Sequence, residues 1–96
     1  YVYRVGSEGL WSEWYQFQMP DASREKLSFV YFGDAQNDIK SMWSRVIREA
    51  YKTLPRVDFM LHAGDLINRH DRDSEWGEWF YAGNFIHATV PSMMTP

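Results

Sequence analysis

Two aspartates, Asp34 and Asp65, each follow a glycine directly at the end of an apolar run, and they stand 31 residues apart. That is about the length of a βαβ unit. If one helix joins the two runs, the second strand returns parallel to the first. Both carboxylates then emerge at the C-terminal edge of the sheet, where open α/β sheets bind ligands. Neighbouring strands lie roughly 4.8 Å apart, so two such carboxylates repel each other unless a proton or a cation intervenes. A hard divalent metal is the natural resolution, and one carboxylate can bridge two ions. Paired metals roughly 3.5–4 Å apart clamp a phosphoryl oxygen and lower the pKa of a bound water, which is the chemistry of phosphoester hydrolysis. The competing reading is that Gly-Asp is a turn dipeptide that ends each strand and does nothing more.

The elements that must position these residues are legible as patterns. Leu27 to Phe32 is a near-continuous apolar run ending in Gly33-Asp34, as in a parallel strand buried on both faces. Ile39, Met42, Trp43, Val46, Ile47, Ala50, Tyr51 and Leu54 then follow a 3,1,3,1 spacing, the single stripe of an amphipathic helix. Asn37 or Asp38 is its expected cap, Pro55 its stop, and Arg45 and Glu49 an i,i+4 pair. Val57 to Ala63 repeats the strand pattern and ends in Gly64-Asp65. A second helix is expected from about Ser74 to His87, capped by Asp73 or Ser74, with Glu75 and Glu78 at the positive end of its dipole. Its sheet-facing residues would be Trp76, Trp79, Phe80 and Gly83. Val90 to Thr95 completes a β, α, β, α, β order as a third strand centred on Met93 and Met94.

Ahead of this unit, Tyr1 to Val5 and Trp14 to Met19 read as two short strands, with Gly6-Ser7-Glu8-Gly9 turning between them. The polar stretch that follows reads as an interdomain linker. The organisation is therefore residues 1–20 as the end of a β-rich domain, 21–27 as linker, and 28–96 as the N-terminal part of an incomplete α/β domain. Both ends of the chain read as cuts, and the rest of its own chain is the first partner expected.

Composition narrows the classes. The 45% hydrophobic and 18% aromatic content suits a folded chain, and the net charge of -3 with scattered Lys and Arg offers no basic stripe for nucleic acid. No apolar run approaches the roughly 20 residues of a membrane span, and no signal-peptide pattern opens the chain. With no cysteine, any metal must be held by oxygen or nitrogen.

Phe32-Gly-Asp-Ala-Gln36 and His62-Ala-Gly-Asp-Leu-Ile-Asn68, joined by an amphipathic helix, resemble the first two motif blocks of the calcineurin-like metallophosphoesterases. Tyr3-Arg-Val-Gly6 and Trp11 to Pro20 resemble the end of the fibronectin type III-like domain that precedes the catalytic domain in purple acid phosphatases. Val90 to Pro96 resembles the lead-in to the family's third block, Gly-Asn-His with an acidic residue, which would come next. The resemblance implies the first half of a layered metallophosphoesterase sheet and a phosphate-ester substrate. It also implies a metal-activated hydroxide at a dinuclear site holding two divalent or mixed-valence ions of iron, zinc or manganese.

Carried over by position, Asp34 would ligate the first metal and Asp65 would bridge both, while the family's later Asn and His ligands fall outside this sequence. Two positions depart from the pattern. Gln36 stands where many relatives have His, and is a candidate oxygen ligand. Asn68 stands where the purple enzymes have their iron-binding Tyr, so no tyrosinate band is expected. The fragment alone is expected to be inactive, because metal binding and folding are coupled and the site is unfinished. Secretion or a periplasmic location is what the family implies.

Asn68, Arg69 and His70, in the loop beside Asp65, are candidate phosphate contacts. His62 reads as a buried core histidine and His87 as a partner of a helix dipole. Trp76 and Trp79 read as core, Trp11 and Trp14 as interdomain packing. Two rival functions stay open: a receiver-like α/β domain holding one Mg²⁺ at acidic strand ends, and a non-enzymatic binding module on a degenerate phosphoesterase scaffold.

Overall fold

The structure is a computed structural model and describes residues 1–95; Pro96, the last residue of the expected lead-in, lies outside them. It begins with an antiparallel ribbon. β1 (Val2–Tyr3) pairs with β4 (Tyr15–Gln16), and β2 (Gly6–Ser7) with β3 (Leu10–Trp11). The reversal is tighter than the expected four-residue turn. Gly6 and Ser7 belong to a strand, and Glu8 and Gly9 alone turn the chain at φ 46° and 87°. Positive φ at both central positions is the turn whose twist matches that of a hairpin.

Val2 pairs with Gln16 while Gly6 pairs with Trp11, so the return strand carries one extra residue between the two ladders. Such a β-bulge re-aims side chains. The Arg4 guanidinium lies over the rings of both Trp11 and Trp14, at 4.5 and 4.8 Å. The two tryptophans remain exposed and clasp this cation. Tyr3 makes the cross-contact, its hydroxyl donating to the carbonyl of Ala88 at 2.7 Å. No helix or strand interrupts residues 17–28, and the Arg24 guanidinium pairs there with Asp58.

The α/β unit follows the expected order. β5 (Phe29–Phe32), β6 (Phe59–Ala63) and β7 (Ser92–Thr95) form a parallel sheet in the order β5-β6-β7, with Phe32 beside His62 and His62 beside Met94. Burial on both faces is not what β5 shows. Phe32 is buried, whereas Phe29 and Tyr31 are exposed. The reason is layering: both long helices lie on the face that carries Phe32, Met60 and His62. The other face presents Phe29, Tyr31 and Met93 openly.

The first helix is composite. A π-helical turn, Ile39–Trp43, leads into α1 (Ser44–Thr53). Asp38 starts it with its backbone rather than its carboxylate. At φ 52° its carbonyl accepts from the N–H groups of Ser41 and Met42. Ile39, Trp43 and Ile47 are buried, while Met42 and Val46 are exposed. The apolar stripe is thus used at every fourth position, because only one layer of sheet is there to cover. Glu49 pairs with Lys52 at 3.9 Å rather than with Arg45.

The second expected helix is two. α2 (Asp73–Gly83) ends at Asn84, whose φ of 43° and ψ of -122° break the hydrogen-bond ladder, and α3 (Phe85–Thr89) resumes. Gly83 is buried and has no side chain because the His87 ring occupies the space where a Cβ would stand. His87 sits in the last turn of α3, where its ring is used in packing. Its ring stacks on Trp79 with centroids 4.3 Å apart. Trp79, Ala82 and Ile86 close the core over Met60 and His62, whereas Phe80 faces outward.

Candidate metal-binding edge

Gly33-Asp34 leaves β5 and Gly64-Asp65 leaves β6. Because Phe32 pairs with His62 in parallel register, the two aspartates leave the same C-terminal edge, offset by one residue. Both adopt the left-handed backbone region at φ 48°, and Gly64 precedes Asp65 at φ 78°. Asp tolerates this region better than most residues because its short side chain bonds locally. Strained backbone of this kind concentrates at functional sites. Both aspartates are exposed. Neither carboxylate is in an ion pair among the described residues.

The loops beyond them are tied together. The side-chain amide of Asn68 donates to the backbone carbonyl of Gln36 at 2.7 Å. The Asn68 and Arg69 backbone N–H groups donate to Glu75 Oε2 at 2.8 and 3.1 Å, and the Arg72 guanidinium donates to Glu75 Oε1 at 2.9 Å. Burial pushes the Glu75 carboxyl up, but these donors, led by the N–H of Arg69, outweigh it and hold its pKa below the usual value. Sequence reasoning gave Glu75 only a dipole role. The signal that points further is its position as the third residue of α2, where a capping-box glutamate reaches back to free N–H groups.

Gln36, Asn68, Arg72 and Glu75 line one groove of about 780 Å³. Asp34 opens instead into a separate cleft of about 350 Å³ beside Met42 and Val46. Arg69 does not reach into the groove as a free cation, because its guanidinium is held by both oxygens of Asp71 at 3.1 and 2.9 Å. His70 is exposed, and its backbone carbonyl accepts from the indole N–H of Trp76 at 3.0 Å. The arrangement thus brings Gln36 and Asn68 together at the edge from which Asp34 and Asp65 depart, and diverts Arg69 to a neighbour.

Exposed carboxylates without a cationic partner are the right donors for a hard or borderline metal. Their number is short: among the described residues no three His, Cys, Asp or Glu side chains converge where an ion could sit. No described helix is long and apolar enough to cross a membrane.

Neither a protein-family model nor a curated protein sequence matches the chain. Among solved structures, the purple acid phosphatase PPD1 isolated from yellow lupin (Lupinus luteus) seeds superimposes with a TM-score of 0.70 at 23% identity. The match covers 90% of this chain and 17% of that one, so the chain spans about a sixth of the enzyme's length. At that identity the likeness speaks for the fold alone, and the mixed α/β arrangement seen here is similar to that of a fragment of a purple acid phosphatase.

Proposed function

We propose that the chain is an N-terminal portion of a metal-dependent phosphoesterase, with residues 1–20 closing a fibronectin-like domain, 21–27 linking, and 28–96 opening the catalytic domain. The observation that carries the reading is the pair of Gly-Asp strand ends. Both leave one sheet edge in the same left-handed backbone region, over a fold shared with a purple acid phosphatase.

In this reading Asp34 and Asp65 would hold the metal pair, Asp65 shared between the two ions, and Gln36 could add a carbonyl oxygen. The remaining ligands are contributed by residues outside this sequence. A bound metal pair would supply a hydroxide at neutral pH and charge stabilisation for the phosphoryl group. The chain's own residues contribute position. Asn68 fixes the spacing of the two loops, and Glu75 anchors the backbone of Asn68 and Arg69. Arg69 and His70 offer donors to a phosphate ester once Arg69 exchanges Asp71 for substrate. With Asn68 in place of the family's tyrosine, no tyrosinate band is expected in the metal-loaded protein.

The test is Asp65→Asn in the full-length protein, since Asn keeps the left-handed backbone while losing the charge. Hydrolysis should fall by about 10²–10³, the scale of losing one preorganised electrostatic group, and bound metal measured by elemental analysis should fall with it. Unchanged turnover and metal content would overturn the assignment in favour of a degenerate scaffold.

A further inference from the structure

Beneath the sheet lies a polar cluster that the proposed chemistry does not use. His62 is 1% exposed and packs against Phe32, Trp79 and Trp43, with centroids at 5.4, 5.1 and 5.9 Å. His87 lies 5.8 Å from it, stacked on Trp79. Neither nitrogen of His62 has a hydrogen-bond partner, and neither do the Trp43 and Trp79 indole N–H groups, while His87 has only a weak contact with the Trp79 backbone carbonyl. Buried polar atoms are ordinarily paired, so two adjacent imidazoles this poorly paired are exceptional.

No carboxylate faces them. β5 and β7 carry no charged residue. On the π-helical turn and α1, Lys40, Arg45, Arg48, Glu49 and Lys52 are exposed. On α2, Asp73, Glu78 and Tyr81 are exposed, and Glu75 is committed to Asn68, Arg69 and Arg72. α3 offers only His87. On the ribbon, Arg4 and Glu13 are exposed, Tyr15 donates to Glu13, and the Tyr3 hydroxyl is committed to Ala88. A proton on either ring would therefore be a buried cation with no carboxylate to pair with, among aromatic rings and, at His87, the Trp79 backbone carbonyl alone.

His87 has a way out. It is half-buried and lines a cleft of about 250 Å³ between the ribbon and α3, together with Tyr3, Phe17, Met19 and Ser92. Its neighbour Ala88 is the residue whose carbonyl holds Tyr3.

We propose that His62 and His87 form an acid-sensitive latch: protonation drives the His87 ring into the cleft, displaces α3 and frees the N-terminal ribbon from Ala88. Burial, then the nearby His87, depresses His62 from 6.5 to about 4, and burial depresses His87 against an opposing pull from the Trp79 backbone. The sign follows from these depressed values. Above the ordinary histidine pKa both rings are neutral in either state, and the latch is at full strength. As pH falls from 6.5 towards 4 the unfolded chain takes up protons that the native core refuses, and the latch weakens.

The test uses the full-length protein and does not depend on its catalysing anything. Followed by NMR, the ring C–H resonances of His62 should keep neutral shifts down to about pH 5, and those of His87 should titrate below the ordinary histidine value. Amide exchange in α3, corrected for its intrinsic pH dependence, should rise over the same range. His87→Phe keeps the stack on Trp79 without a titrating nitrogen, and should flatten the fall in Tm between about pH 7 and 5. Gly83→Ala, which evicts the ring without changing charge, should expose α3 already at neutral pH. Ring titration near 6.5 in the folded protein, or α3 exchange that does not respond to pH, would overturn the proposal even if His87→Phe failed to fold.

Discussion

The Asn68 amide and the Gln36 carbonyl are joined by a 2.7 Å hydrogen bond across 32 residues of sequence. The bond makes one structure of the two loops that leave β5 and β6. It sets the separation of the strand ends at the point where the backbone of each has turned left-handed. Its donor is an amide side chain and its acceptor is main chain, so the residue type at 68 matters and the type at 36 does not.

Asn68→Ala should cost about 1 kcal/mol in unfolding free energy, the usual net worth of one such bond. Asn68→Asp should cost more, because it turns an acceptor towards the Gln36 carbonyl. Denaturant midpoints of the three proteins check this; an aspartate variant as stable as wild type would mean that the loops are held by other contacts.

Asp58 ties Arg24 and Ser28 to the N-terminal end of β6. It accepts from the Ser28 N–H at 2.8 Å, from the Ser28 hydroxyl at 3.3 Å, and from the Arg24 guanidinium. The Ser28 N–H is the largest influence on its carboxyl and, with Arg24, holds the pKa below 3.8 against the upward push of burial. A depressed carboxylate stabilises above its unfolded value and stops doing so as pH falls through its folded one. Asp58→Asn should therefore be less stable than wild type at pH 7, with the gap closing only below about pH 4. That window lies under the one assigned to the histidine pair, so thermal unfolding across pH separates the two effects.

Ile47 is fully buried, whereas its neighbour Val46 is 50% exposed. Ile47→Ala should cost about 2–5 kcal/mol through lost burial and the cavity left behind. Val46→Ala, on the same helix and with similar propensity effects, should cost well under half as much. Equal losses would show that the helix is rotated from the orientation described.

Periodicity located the elements because it depends on near neighbours. The Ile39, Trp43 and Ile47 stripe and the apolar runs before Asp34 and Asp65 could be read from spacing alone. What eluded the sequence was set by contacts from afar. Phe29 and Tyr31 look like core residues in a strand, and only the placement of both long helices on the opposite face leaves them exposed. The split at Asn84 had a local sign, since Gly-Asn is a common helix terminus, but the regular Trp76, Trp79, Phe80 and Gly83 spacing masked it. The role of His87 needed the knowledge that Gly83 lies one turn earlier and leaves room. At the candidate site the Gly-Asp pairs were visible in advance, whereas the capture of Arg69 by Asp71 and the Asn68 bond are rotamer choices that no spacing encodes.

The left-handed backbone at residues 34 and 65 also limits how this chain can vary over generations. A β-branched or bulky side chain is strongly disfavoured at φ 48°, so asparagine and glycine are the replacements that fit with least strain. Both are a single nucleotide change away, and asparagine keeps a local side-chain acceptor while it removes the charge. If the edge carries the chemistry proposed for it, the shortest route by which a lineage could shed that chemistry leaves the fold almost untouched, and descendants that had taken it would look, by shape alone, like their working relatives.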